Sequence, residues 1–83
     1  MIDGRQIRAA RALLGWSRDD LLAHTTVSMS ALLRLEQGGA DSRRSTIIKV
    51  VQTLEAAGIV FVTREDGAIG VLLKPAAMVA LKR

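Results

Sequence analysis

Residues Ser17–Gly38, SRDDLLAHTTVSMSALLRLEQG, decide how the rest of the chain is read. Two short apolar-periodic segments lie inside this stretch. Each opens on a serine, Ser17 and Ser28, and only a few residues around Thr25–Thr26–Val27 separate them. Ser17 with Asp20 three residues later forms a capping-box-like start, in which each side chain satisfies the other residue's backbone N–H. Ser28 is an N-cap for the following segment, which runs to about Gln37 before Gly38–Gly39 stop it. So short a link makes two helices cross steeply instead of lying side by side. That is the sequence form of a helix-turn-helix, whose later helix can be presented to a DNA major groove.

The flanks extend the pattern. Asp3 caps a first helix from about Gly4 to Leu14, ended by Gly15, with Ile7, Ala10, Leu13 and Leu14 as its buried stripe and Arg5 and Arg8 towards the other side. Trp16 is expected as a half-buried anchor beside the next turn. His24, the only histidine, falls near the end of the second helix and reads as a surface residue or cap. On the third helix Val27, Ala31, Leu32 and Leu35 face inward, while Ser28, Met29, Ser30, Leu33 and Arg34 face outward. A short basic loop, GGADSRR, leads to a fourth helix from Ser45 or Thr46 to Ala57, closed by Gly58. Its apolar face is Ile47, Ile48, Val51 and Leu54, with Val50 at the margin.

After Gly58 the period changes. Ile59–Thr63 is β-branched and aromatic, Glu65–Asp66–Gly67 is turn chemistry, and Ile69–Leu73 is a further strand-like run, which together predict a β-hairpin. Pro75 breaks the pattern, and AAMVALKR fits either a short helix or another strand. The expected organisation is residues 1–58 as a helix-turn-helix unit and residues 59–83 as a hairpin and tail. The hairpin and the apolar Met78, Val79 and Leu81 are candidate dimerisation elements.

A chain of 83 residues, 49% apolar, has room for one small domain with one core. It has no cysteine, which excludes disulfide staples and thiolate metal sites. No apolar run approaches the length of a membrane span and the N-terminus lacks a signal-like stretch, so a cytoplasmic location and no membrane partner are expected. The net charge of +4 favours polyanionic partners. Arginine, whose planar fork suits phosphate, dominates the N-terminal half at Arg5, Arg8, Arg11, Arg18, Arg34, Arg43 and Arg44. With only Trp16 and Phe61 aromatic, a stacking platform for single strands is not expected. There is no nucleophile–base pair, paired carboxylate cluster or phosphate-cradling glycine loop, so no catalytic residue, metal or cofactor is expected. Asp19–Asp20 is explained by the helix macrodipole.

The segments ARALLGWS, VSMSALLRLEQG and LEAAG, in this order and spacing, resemble the phage repressor/Cro-like (XRE) helix-turn-helix family over roughly two-thirds of the chain. The resemblance implies a mainly α, four- to five-helix repressor-like DNA-binding domain, here with a C-terminal β-hairpin, acting as a transcription regulator. It implies that Arg18 grips a phosphate or an adjacent base edge, that Ser28 caps its helix and bonds a phosphate, that Met29, Ser30 and Arg34 enter the groove, and that Arg43 and Arg44 approach the DNA backbone or the neighbouring minor groove from a loop. Leu33 would lie near the backbone or against a partner. Arg11 and Glu36 match a pair that ties the first helix to the third, and this structural role is favoured over a phosphate contact by Arg11. Thr26 stands where the family usually has a glycine with positive φ, and Leu22 where it usually has alanine. The expected partners are double-stranded DNA and a second copy in a homodimer. The alternative is a protein-interaction module, an antitoxin or antiactivator, that keeps the fold and offers Met29 and Leu33 to another protein.

Overall fold

The computed structural model describes residues 2–38 and 42–75, and its helix ends follow local capping chemistry. Asp3, in extended backbone, accepts the Arg5 N–H through Oδ1 at 2.7 Å, while Gln6 Oε1 accepts the Asp3 N–H at 2.9 Å. The Arg5 guanidinium, 3.0 Å from Asp3, holds that carboxyl down to about 2 from its ordinary 3.8. Helix α1, Gly4–Leu14, follows and stops at Gly15, whose φ of 69° lies in the left-handed region open to glycine. Ser17 and Asp20 close a reciprocal capping box, at 2.8 and 3.0 Å, on α2, Arg18–Leu22. Ser28 Oγ accepts the Ala31 N–H at 3.2 Å and opens α3, Met29–Glu36.

Helix α4, Arg44–Ala56, starts earlier than the sequence pattern predicts, and its N-cap Arg43 supplies no side-chain cap. Arg43 and Arg44 therefore stand at a helix start and not within a loop. Four helices are present among the described residues, against an expectation of four to five. The segment AAMVALKR, with Met78, Val79 and Leu81, lies outside the described residues.

Strands β1, Ile59–Thr63, and β2, Ile69–Leu73, form an antiparallel hairpin in which Ile59 faces Leu73 and Thr63 faces Ile69. Alternation puts Ile59, Phe61, Val71 and Leu73 on the face that packs against the helices. Val60, Val62 and Leu72 share the opposite face. One core cluster joins Ile7 and Ala10 of α1, Leu21 of α2, Leu32 and Leu35 of α3, Val50 and Leu54 of α4, and Ile59 of β1. Helices and hairpin are thus two layers over a common centre.

Two apolar stripes differ from expectation. Leu13 is 46% exposed, because the angular sector it shares with Gln6 is left uncovered two turns further along. On α4, Val50 is fully buried and Ile48 is 45% exposed, the reverse of the expected roles. Helix α4 carries apolar residues around more than half its circumference, so periodicity alone permitted more than one inward direction. The packed direction is the one through Ile47, Val50 and Leu54.

Two features hold α1 in place, one polar and one steric. Gln6, 2% exposed, donates both amide hydrogens across the domain, to the Val62 carbonyl at 3.1 Å and the Gly70 carbonyl at 3.0 Å. Gly4 lets the start of α1 touch the end of α3, since a Cβ there would sit 2.5 Å from the Leu35 carbonyl oxygen and 2.6 Å from that of Glu36. No helix among the described residues is long and apolar enough to cross a membrane.

Candidate functional site

The unit of α2, turn and α3 is locked from below by a buried carboxylate. The Glu36 side chain is fully buried at the end of α3. Arg11 Nε lies 2.8 Å from Glu36 Oε2, and Arg11 Nη2 lies 3.3 Å from Oε1. Arg11 Nη1 also donates to the Trp16 carbonyl at 3.2 Å, and Arg8 Nη1 donates to the Glu36 carbonyl at 2.9 Å. Arg18 joins the same carboxylate through Nε at 2.9 Å. The expected contact of Arg18 with a phosphate or base edge stands beside this bond: Nε is engaged by Glu36, while the side chain as a whole is 41% exposed. Removing such a carboxylate from water is tolerated because its lone pairs are filled by charged donors.

The turn between α2 and α3 is held from the side by α4. Lys49 Nζ donates to Thr26 Oγ1 at 3.2 Å, and Thr53 Oγ1 lies 3.5 Å from the His24 carbonyl oxygen. No described residue other than glycine has positive φ, so Thr26 occupies the turn without the conformation expected of a glycine there. Its hydroxyl supplies the tether that a glycine lacks. Leu22, in place of alanine, packs half-buried against the core. Trp16 is half-buried as expected but not unaccompanied, for the His24 ring meets it edge-on at 4.7 Å between centroids.

Above this base a cleft of about 410 Å³ opens between the N-terminal ends of α3 and α4. Ser30 and Arg34 line it from α3 and Ser45, Thr46 and Lys49 from α4, with the N-caps Ser28 and Arg43, and Thr26 and Ser42 complete a ring of hydroxyls. Among the described residues three cations and no carboxylate line it. Neither α3 nor α4 carries an acidic residue in its first turn, so the positive ends of both macrodipoles are uncompensated here. Ser42 Oγ is buried without a hydrogen-bond partner among the described residues.

The structure therefore brings Ser28, Ser30, Arg34 and Arg43 together. Met29, 37% exposed, is next to them on α3, and Leu33 is half-buried. Arg44 is not in this group: it lines a separate groove with Ile47 and Ile48. Sequence reasoning missed Lys49, Thr26 and Ser42. The available signal was Lys49, a cation inside an otherwise apolar helical run. Among the described residues no group of His, Asp and Glu could hold a metal ion. No family model, curated protein or solved structure matches the chain.

Proposed function

We propose that this chain is a transcription regulator that binds double-stranded DNA, with α3 in the major groove and two copies on a two-fold site. The observation that carries the reading is the cleft between α3 and α4, in which no carboxylate stands among the described lining residues. There Arg34, Arg43 and Lys49, six hydroxyls and two helix N-termini converge beside the outward face of α3. A phosphodiester is an anion rich in acceptor oxygens, and this set of donors is matched to it. On the same face Arg34 can address a guanine edge bidentately, worth about 1–3 kcal/mol of discrimination, while Ser30 can bond a base edge and Met29 can touch a thymine methyl. Arg18 also neutralises Glu36 beneath the reading helix.

Titrating a random-sequence duplex against the protein over a range of salt tests this. If the bound state neutralises about six phosphates, log affinity falls against log salt with a slope of about −5. Arg43→Glu is expected to lower the affinity and flatten the slope without unfolding the chain, because Arg43 is exposed and forms no cap bond. A flat salt response, or an Arg43→Glu chain that binds as tightly as the original, removes the DNA reading. The protein-interaction module, centred on exposed Met29, would then take its place.

A further inference from the structure

Helix α4 has, among the described residues, an unpartnered side as well as a core side. Arg44, Ile48, Val51, Gln52 and Glu55 recur at helical spacing and form a stripe roughly a third of a turn away from Val50 and Leu54. Ile48 is 45% exposed and Val51 is half-buried. With Ile2 and Ile47 they line a groove of about 470 Å³. The stripe has a cation at one end, Arg44, and a carboxylate at the other, Glu55. Neither makes an ion pair among the described residues.

We infer that this face docks a second copy of the chain, the two α4 helices lying antiparallel about a two-fold axis level with the Lys49–Val50 peptide. The stripe is its own complement in that arrangement. Arg44 meets the partner's Glu55 and Ile48 meets the partner's Val51. Symmetry repeats each contact, so two ion pairs flank a central aliphatic patch. A parallel pairing would set Arg44 on the partner's Arg44 and Glu55 on the partner's Glu55, which like-charge repulsion disfavours. An unrelated protein would need the same charge order and apolar spacing by coincidence, whereas a second copy has them by construction. The inference deepens the proposed two-copy reading of DNA and rests on it for its purpose. It also separates the duties of neighbouring residues, Arg43 facing the cleft and Arg44 the dimer groove.

Sedimentation equilibrium of the intact chain, without DNA, tests it. The wild-type chain is expected to be a dimer. Arg44→Glu and Glu55→Arg should each weaken it by about tenfold or more, and the two together should restore it. Ile48→Lys should give a folded monomer with unchanged circular dichroism, since Ile48 is not part of the core cluster. Leu72→Lys, on the outer hairpin face, should leave the dimer intact. A wild-type chain that is monomeric at every concentration overturns the inference. So does a dimer that dissociates on Leu72→Lys and survives Ile48→Lys. Because no DNA is present, failure here leaves the salt titration and Arg43→Glu to decide the DNA reading separately.

Discussion

Glu36 gathers three arginines that the linear chain scatters over positions 8, 11 and 18, and their energetic weights differ. The Arg11 side chain is 15% exposed and doubly bonded to the carboxylate, whereas Arg18 is 41% exposed and singly bonded. Deleting one member of a buried pair strands the other in a medium that solvates it poorly. Arg11→Ala is therefore expected to cost about 3 kcal/mol in urea unfolding, and Arg18→Ala only about 1 kcal/mol because water screens it. The affinity of Arg18→Ala for random duplex DNA reads its other role: a direct phosphate contact would lose it, and the Glu36 bond alone would leave it nearly unchanged. The Arg11–Glu36 tie could be expected from the family resemblance. The recruitment of Arg18 could not, because RLEQG at the end of a helix looks like a solvated terminus and nothing local announces that Glu36 is buried. Gly4 was equally silent: its requirement comes from carbonyls at Leu35 and Glu36, about thirty positions away.

The elements themselves were largely legible, and for a physical reason. Asp3, Ser17 and Ser28 bond to backbone amides two or three residues on, so the signal and its consequence lie within one turn. The hairpin was legible through β-branched runs around a turn sequence. Orientation was less so. Helix α4 is apolar on two sides, and only its packing partners choose between Val50 and Ile48. The α2–α3 turn shows the same limit, since Thr26 is explained by Lys49, twenty-three residues further along. A glycine there would gain nothing, because no left-handed φ is needed. Thr26→Gly is thus expected to destabilise the domain by about 0.5–1 kcal/mol, through a freer unfolded chain and a lost tether, read as a lower midpoint in thermal unfolding. A stabilised Thr26→Gly chain would mean that the turn is strained after all.

At the level of the whole molecule, Gln6 stitches the first helix to both strands of the hairpin, 56 and 64 residues away. Its carboxamide is fully used, with two hydrogens on Val62 and Gly70 and its oxygen on the Asp3 N–H. Ile59 lies in the same apolar cluster as Ile7 and Leu54. Hairpin and helices should therefore open as one cooperative unit, and native-state hydrogen exchange should give the ladder amides of β1 and β2 the same opening free energy as the amides of α3 and α4. Gln6→Leu should lower that common value by about 1–3 kcal/mol without splitting it. Strand amides that exchange at much lower free energy would reveal an independent hairpin. The Gln6 bridge has a bearing on biosynthesis as well. The first helix leaves the ribosome 56 and 64 residues ahead of the carbonyls that complete it, so a nascent chain must carry that helix unclasped until the hairpin has emerged.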